Sequence, residues 1–214
     1  MDVVVILKVT AMILAVAIAV IGHEIMHGWV AYKYGDNTAK SLGRLSINPI
    51  VHIDPIGTIL VPGILYATGA PFLFGWAKPV PVDINRVIFN GGYKGAIAVA
   101  LAGITYNLIL AAFLATVLPL FSNPQSLTGA FFYIFLVQSI MINVVLAVFN
   151  LWPIPPLDGA QALRYLGASF GWRRFVEAYD KIYPYGMLIL FAILFTPLAS
   201  ILFIPVKWIL QIIM

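Results

Sequence analysis

The strongest constraint on this chain is a series of long apolar stretches without charged residues, such as 9–23, 96–121 and 129–152. A helix needs about 20 apolar residues to cross a bilayer. Lipid cannot satisfy exposed backbone polar groups, so stretches of this kind form helices. Only 9% of the residues are charged and 62% are hydrophobic. The sequence therefore predicts an integral membrane protein.

The pattern predicts an all-α integral membrane protein, a bundle of about four to six transmembrane helices. The segment 56–74 is apolar but broken by glycine and proline, so we expect it to be re-entrant or membrane-associated. The segment 160–184 is charged on one face and predicts an amphipathic surface region. Residues 185–214 are interrupted at Pro197 and Pro205 and fit either one long crossing or a hairpin.

Composition excludes several kinds of function. The chain has no cysteine, which rules out disulfides, thiolate metal sites and a cysteine nucleophile. Any metal must be held by nitrogen and oxygen. The formal net charge is +4, but the twelve Lys and Arg residues are scattered over short loops and form no basic stripe. We therefore expect no nucleic acid partner and a direct association with the lipid bilayer.

The residues His23-Glu24-Ile25-Met26-His27 form an H-E-x-x-H pattern. Two histidines spaced by four lie on one helix face, so both imidazoles can reach one Zn²⁺ ion. Zinc lowers the pKa of a bound water toward about 7, and Glu24 is placed to accept its proton as the water attacks a peptide carbonyl. A chance pattern of packed histidines is disfavoured, since an ionisable Glu24 inside an apolar span marks a functional site.

A catalytic zinc usually takes three protein ligands. Asp158 is the predicted third ligand, because it is the only charged residue between Lys94 and Arg164 and follows a span at a proline-broken stretch. The alternative for Asp158 is a helix cap that accepts backbone N–H bonds. His52 is the competing ligand, although a loop histidine beside Asp54 is more often structural or an outer partner of the metal site.

The predicted ligands also constrain the topology. His27 and Asp158 both lie at the C-terminal ends of their spans, so these spans run in the same direction and an odd number of crossings separates them. This holds if 96–121 crosses and 56–74 does not. The regions 33–95 and 153–184 then share one side, with ten of the twelve Lys and Arg residues. The positive-inside rule predicts a multi-pass cell membrane protein with its active site toward the cytoplasm.

Three asparagines lie within or at the end of apolar helices. Asn150, eight residues before Asp158, is a candidate donor to the substrate or to an oxyanion near the zinc. Asn107 and His52 are further candidates for such contacts. Asn143 fits hydrogen bonding between helices instead.

These motifs resemble the site-2 protease family of intramembrane zinc metalloproteases, peptidase family M50. The resemblance covers about residues 10–165 and rests on three motifs: His23-Glu24-x-x-His27, Asn48-Pro49 through Gly57 with Gly75-Trp76-Ala77-Lys78-Pro79-Val80-Pro81, and Asn150-Leu151-x-Pro153-x-Pro155-Pro156-Leu157-Asp158-Gly159. It implies His23, His27 and Asp158 as zinc ligands and Glu24 as the acid/base. The family often shows Ala-Gly-Pro on its middle helix, whereas here Ala102-Gly103 is followed by Ile104.

The resulting prediction is a zinc metalloendopeptidase in which residues 1–214 form a single membrane-embedded domain, a compact form without a PDZ or CBS domain. It would hydrolyse peptide bonds within or next to transmembrane segments of single-span membrane proteins, with a separate adaptor for substrate selection. The alternative is a zinc transporter or metal-sensing membrane protein using the same ligands, although transport needs further ligands along a path. An inactive relative that serves as a binding platform would have no use for Glu24.

Overall fold

The computed structural model describes residues 3–70 and 74–214, and the regular structure in these ranges is helical throughout. This confirms the predicted all-α class. The helices are α1 Val3–Lys33, α2 Thr38–Ser41, α3 Val61–Ala67, α4 Ile84–Val117, α5 Leu127–Leu151, α6 Asp158–Ser169, α7 Arg173–Ile182, α8 Gly186–Leu194, α9 Leu198–Leu202 and α10 Ile204–Ile213. A π-helical turn, Pro55–Leu60, precedes α3, and short 3₁₀ turns occupy Pro49–His52, Leu118–Phe121 and Tyr183–Tyr185.

Three helices in the described ranges are long and apolar enough to cross a membrane: Val3–Lys33, Ile84–Phe121 and Leu127–Leu151. A fourth crossing is present if the bent pair Arg173–Leu194 and Leu198–Ile213, which turn by 102° at their break, forms one span. The count is therefore three or four, and it reaches the lower end of the predicted four to six if the bent pair is one span. Pro197 lies in this break and cannot continue the helical hydrogen bonding, whereas Pro205 lies in the first turn of α10.

The helices α1, α4 and α5 pack against one another and form the centre of the fold. Their contact depends on small side chains, since Ala11, Ala15, Ala19 and Ala31 of α1 are fully buried. These alanines are spaced by multiples of four, so they line one stripe of the helix. Small residues let membrane helices approach closely. The same stripe contains His23, which therefore faces the centre of the bundle.

The segment predicted not to cross the membrane contains a short helix from Pro55 to Ala67, in agreement with that prediction. Thirteen residues extend only about 20 Å, less than the hydrocarbon thickness of a bilayer. The Asp54 carboxylate begins this helix by accepting from the N–H groups of Ile56 and Gly57. Residues 71–73 of the predicted 56–74 segment lie outside the described residues.

The start of α4 differs from the sequence prediction. The span was expected from Ala96, but the helix begins at Ile84, where the Asp83 carboxylate accepts from the Arg86 N–H. The polar residues at the start of α4 are helical because the Asp83 side chain satisfies a backbone N–H group that has no partner within the helix. Gly92 interrupts the helix with a φ of 61°, a conformation that favours glycine.

Candidate metal centre

The helix α1 places His23 and His27 on the side facing α4. An ideal Cβ atom at Gly103 of α4 would lie 2.4 to 2.5 Å from atoms of the His23 ring. Only glycine at this position leaves room for the imidazole. The ring of His23 therefore fits a gap in the surface of α4, and this contact sets its depth in the bundle.

Asp158 is the first residue of α6, directly after the proline-rich turn that ends α5. The next residue, Gly159, packs so closely on the end of α5 that a Cβ atom there would lie 2.0 Å from the Leu151 carbonyl oxygen. Leu157 is the N-cap of α6, and the cap makes no side-chain hydrogen bond. The Asp158 carboxylate points to the histidines instead.

Three side-chain atoms converge where α1 meets the start of α6. Nε2 of His23 lies 3.0 Å from Oδ2 of Asp158, and Nε2 of His27 lies 3.3 Å from the same oxygen. The two Nε2 atoms are 3.1 Å apart. Among the described residues, this is the one cluster of three or more His, Asp or Glu side chains with metal-site spacing.

The other ring nitrogens fix which atoms face the cluster. Nδ1 of His23 lies 2.7 Å from Oδ1 of Asn107, and Nδ1 of His27 lies 2.7 Å from the Val99 carbonyl oxygen. Both oxygens can only accept, so each Nδ1 carries the proton. In the neutral imidazole, which is the form that binds a metal, each Nε2 then presents a lone pair to the cluster.

This donor set fits a divalent cation. Two imidazole lone pairs and a carboxylate oxygen repel one another unless a positive charge lies between them, and Oδ2 of Asp158 is buried without a hydrogen-bond partner. Nitrogen and oxygen ligands of a tetrahedral zinc ion are roughly 3.3 Å apart, given metal–ligand distances of about 2.0 to 2.2 Å. The observed separations of 3.0, 3.1 and 3.3 Å agree with that spacing.

Glu24 lies beside this cluster. Its Oε2 atom accepts a hydrogen bond of 2.9 Å from the backbone N–H of Val80. No described group donates to its Oε1 atom. The carboxylate lines a cavity of about 690 Å³ together with His23, His27 and Asp158. One oxygen is thus held in place and the other is available to a bound molecule.

The remaining predicted site residues occupy different positions. Asn150 lines the cavity, with its amide donating to the Leu146 carbonyl oxygen of the same helix. Asn107 has no exposed surface and uses both amide hydrogens on the Ala19 carbonyl oxygen and Asn143. Both amide hydrogens of Asn107 are therefore engaged within the bundle in this structure, and a contact of Asn107 with a substrate stays a prediction.

His52 lies outside the cluster. It is 3% exposed, and its Nε2 atom lies 2.7 Å from the Ser46 carbonyl oxygen. The described residues that line the cavity do not include it. Its backbone carbonyl accepts from the N–H of Lys78, so His52 contacts the cavity wall through the main chain.

Sequence reasoning missed the contacts that involve main-chain atoms. The Val80 N–H and the Val99 carbonyl hold Glu24 and His27, but any residue type supplies these groups, so no sequence signal marks them. Gly159 could have been found as a small residue next to the predicted ligand Asp158, whereas Gly103 lies far from His23 in the sequence. Their importance depends on which side chain packs against them.

A helical membrane protein with two histidines, an aspartate and a glutamate at one cavity defines a candidate metallohydrolase. The protein named "Putative zinc metalloprotease YwhC" of Bacillus subtilis (strain 168) is 39% identical over 191 residues, covering 86% of this chain and 79% of YwhC. "Putative zinc metalloprotease MJ0611" of Methanocaldococcus jannaschii is 33% identical over 153 residues, covering 72% of this chain and 69% of MJ0611. The chain belongs to the zinc metalloprotease family that contains these proteins.

A third relative shares less of its length. "Putative zinc metalloprotease Rip2" of Mycolicibacterium smegmatis is 30% identical over 141 residues, covering 66% of this chain and 51% of Rip2. No family model matches the chain, and no solved structure matches it.

Proposed function

We propose that this chain is an intramembrane zinc metalloendopeptidase of the site-2 protease type. The observation that supports this most strongly is the convergence of two imidazole lone pairs and a buried carboxylate oxygen beside Glu24, at the ends of membrane-length helices. In this proposal His23, His27 and Asp158 hold the metal. A bound zinc ion supplies a Lewis acid that makes water more acidic and polarises a carbonyl.

Glu24 performs the proton transfers in the proposed reaction. Its free Oε1 atom takes a proton from the attacking water and gives it to the nitrogen of the peptide bond that breaks. The Val80 N–H bonded to Oε2 keeps the carboxylate oriented toward the cavity. General acid–base catalysis of this kind contributes about 10²- to 10⁴-fold to a rate.

The cavity wall offers an edge for an extended peptide. The N–H of Trp76 donates to the Gly57 carbonyl oxygen, and the carbonyl oxygen of Trp76 accepts from the Thr58 hydroxyl. The N–H of Lys78 donates to the His52 carbonyl oxygen, and the carbonyl oxygen of Lys78 accepts from Nη2 of Arg44. Successive residues of an extended chain face opposite edges, so Ala77 faces away from these partners. Its N–H and C=O groups have no partner among the described residues, and Ala77 lines the cavity.

A substrate that adds as a strand to this edge would lie extended next to Glu24. The carbonyl groups of a transmembrane helix are hydrogen-bonded and shielded, so a substrate helix must unwind before it is cut. We therefore propose single-span membrane proteins with helix-breaking residues near the cut site as substrates. A separate adaptor protein would assist their selection.

The charge distribution supports a cytoplasmic position for the site. The regions 34–83 and 152–172 flank the spanning helices on one side of the bundle and carry the loops that line the cavity. The wider regions 33–95 and 153–184, which include these loops and the helical turns next to them, hold ten of the twelve Lys and Arg residues. By the positive-inside rule we place this side in the cytoplasm of a multi-pass cell membrane protein.

The test uses purified protein, a model single-span substrate and zinc analysis. Glu24→Gln removes the proton acceptor and leaves the three proposed ligands, so we expect full zinc content with cleavage reduced at least 100-fold. Glu177→Gln is the matched control, because Glu177 is the other glutamate of the chain and lies exposed on α7. A chelator should abolish cleavage by the wild type. Substantial cleavage by Glu24→Gln, or cleavage that survives the chelator, would refute the proposal.

The transporter alternative has less support. A transport path needs a succession of ligand groups. The described residues contain a single cluster of metal-site type, and the remaining histidine, His52, is bonded to Ser46.

A further inference from the structure

The junction between α6 and α7 carries an exposed aromatic pair that the proposed peptidase site does not use. Phe170 and Trp172 flank Gly171, whose φ of 73° makes the turn. Their rings stack with centroids 5.2 Å apart and an interplanar angle of 27°. The two side chains are 63% and 53% exposed. In a membrane protein, aromatic side chains of this kind typically lie at the boundary between headgroups and acyl chains.

Two arginines follow this pair directly. Arg173 and Arg174 are exposed, and neither forms an ion pair with a carboxylate in the part of the chain that the structure describes. Lys181 lies seven residues after Arg174 and so occupies the same outward face of α7. Two acidic residues lie near that face: Glu177, which forms no ion pair in the described part of the chain, and Asp180, which is paired with Arg164. The outward surface is therefore cationic.

The inward face of α7 is tied to the segment that contains Asp158. The Tyr179 hydroxyl donates to the Pro153 carbonyl oxygen at 2.8 Å. Nη2 of Arg164 donates to Oδ2 of Asp180 at 2.9 Å. These two bonds hold the turn before Asp158 and the helix after it, although α7 has no buried residue of its own. The helix α7 also packs on α6 through Phe175, whose ring lies against Gly167, so the outward face of α7 is the part that remains uncovered.

We propose that Phe170, Trp172, Arg173 and Arg174 form a binding surface for anionic phospholipid headgroups. The aromatic rings insert at the acyl boundary, and the guanidinium groups bind phosphate oxygens. Charge complementarity selects this occupant, because the surface carries unpaired cations and the cytoplasmic leaflet is negatively charged. A planar guanidinium can form two hydrogen bonds with one phosphate group. A zwitterionic lipid also has a phosphate, but its headgroup has no net charge to attract the arginines.

The experiment measures lipid selectivity at this surface and does not require proteolysis. The chain has no cysteine, so Ser169→Cys accepts a single fluorescent label next to Phe170. Ser169 is exposed, and its hydroxyl bonds only within its own helix, to the Leu166 carbonyl oxygen. The labelled protein is placed in vesicles of phosphatidylcholine with phosphatidylglycerol. Two samples are compared: in one the phosphatidylglycerol carries bromine atoms, and in the other the phosphatidylcholine does. Bromine quenches the fluorescence of the label on contact.

We expect the anionic lipid to be favoured at the label. Each arginine near an anionic surface contributes about a fivefold preference, so Arg173→Gln with Arg174→Gln should remove a preference of about 25-fold. Arg86→Gln with Lys94→Gln is the matched control, since it removes two exposed cations of α4 and should leave the preference unchanged. Running the same series with Glu24→Gln separates this inference from the peptidase proposal, because lipid contact should not change.

Two results would overturn the proposal. One is equal quenching by the two lipids in the wild type. The other is an equal loss of preference in the α7 and α4 variants, which would indicate a general charge effect. Equal quenching together with protection of the label by an acidic peptide would assign the surface to a protein partner instead.

Discussion

The ring of His23 and the amide of Asn107 lie 2.7 Å apart, from Nδ1 to Oδ1, in a part of the bundle where Asn107 has no exposed surface. Asn107 donates in turn to the Ala19 carbonyl oxygen at 3.1 Å and to Oδ1 of Asn143 at 2.8 Å. These two bonds fix which end of the amide faces His23. A residue of α4 thus determines the tautomer of a proposed metal ligand on α1.

The first prediction follows from this contact. Asn107→Leu keeps a similar volume but removes the acceptor for Nδ1 of His23, so the proton is no longer held on that nitrogen. Loss of an outer partner of a metal ligand typically costs about 10- to 100-fold in metal affinity. We expect a decrease of that size in zinc affinity, measured by competition with a chromophoric chelator, with helix content retained.

Gln138→Leu is the control for this variant. Gln138 is an amide on α5 that donates to the Lys8 carbonyl oxygen of α1, with no contact to the histidines. Its replacement should leave zinc affinity unchanged. Wild-type affinity in Asn107→Leu would show that the hydrogen bond to His23 has no part in metal binding.

The second prediction concerns the gap that receives the His23 ring. In Gly103→Ala the new methyl group would lie 2.4 to 2.5 Å from ring atoms, so the ring or α4 must move. Overpacking of this kind costs about 1 to 3 kcal/mol. We expect zinc affinity to decrease more than tenfold, because the displaced Nε2 no longer faces Asp158. Equilibrium zinc binding measures this.

Gly63→Ala provides the comparison for Gly103→Ala. Gly63 also lies in a helix, but a Cβ atom there has no neighbour within 4 Å. Alanine has the higher helix propensity, so this variant should keep both stability and zinc affinity. If the two variants bind zinc equally well, the gap at Gly103 does not position His23.

Much of the fold and part of the site could be predicted from the sequence. His23, Glu24 and His27 share one helix, so their spacing alone places them together. The long uncharged stretches predicted the helices α1, α4 and α5, and the structure confirms the all-α class. Asp158 could be singled out because charged residues are rare in this chain, and the structure brings it to the histidines. Its role as a ligand stays a prediction.

The remaining features depend on contacts that sequence does not encode locally. The bond from Val80 to Glu24 joins residues 56 positions apart through a main-chain group, so no residue type signals it. The early start of α4 was missed because residues 84–95 are polar for a span, and the Asp83 cap was needed to recognise a helix there. The hydrogen bonds of Asn107 were not foreseen, because only its neighbours reveal that both its amide hydrogens are used, and its contact with a substrate stays a prediction.

The third prediction tests the free edge of the cavity wall. Ala77→Pro removes the N–H that has no partner in the described part of the protein, so folding loses no hydrogen bond. A substrate strand would lose one main-chain bond, worth about 0.5 to 1.5 kcal/mol. We expect KM to rise about 3- to 10-fold with kcat less affected, measured with the model substrate.

Ala77→Val is the control, because valine keeps the N–H group and favours an extended backbone. Its KM should stay close to that of the wild type. Equal increases in KM for both variants would point to side-chain crowding, and an unchanged KM for Ala77→Pro would exclude strand addition at this position.

The fourth prediction concerns the dependence of stability on pH. Asp36 is 1% exposed and accepts from the Thr38 hydroxyl and from the N–H groups of Thr38 and Asp83. Burial raises the pKa of the Asp36 carboxyl, but these hydrogen bonds lower it, and the net pKa is below its usual value. A depressed carboxyl pKa stabilises the fold above the unfolded pKa, and this contribution is lost as the pH falls through the folded pKa.

We therefore expect the thermal stability of the wild type to decrease as the pH falls below about 4. Asp36→Asn should be less stable at pH 7, because one charged acceptor is lost, and should respond less to acid. Thermal unfolding in detergent between about pH 7 and pH 3 measures both effects. Parallel curves for the two proteins would show that Asp36 contributes nothing to the acid response.

The last prediction separates Asp158 from His52 as the third metal ligand. Asp158 Oδ2 lies 3.0 Å and 3.3 Å from the two Nε2 atoms, whereas His52 is buried elsewhere and bonds to Ser46. Asp158→Ala leaves two imidazoles, too few to hold a catalytic zinc, so this variant should purify largely free of zinc. His52→Ala removes a side chain that contacts the wall of the cavity only through its neighbours. It should keep near-stoichiometric zinc, with turnover reduced because the backbone at Lys78 is less well held.

Zinc content of the two variants, measured side by side, decides the assignment. A zinc-replete Asp158→Ala together with a zinc-free His52→Ala would reverse the assignment. His52, at the end of the 3₁₀ turn Pro49–His52, would then be the third ligand, and Asp158 would only begin α6.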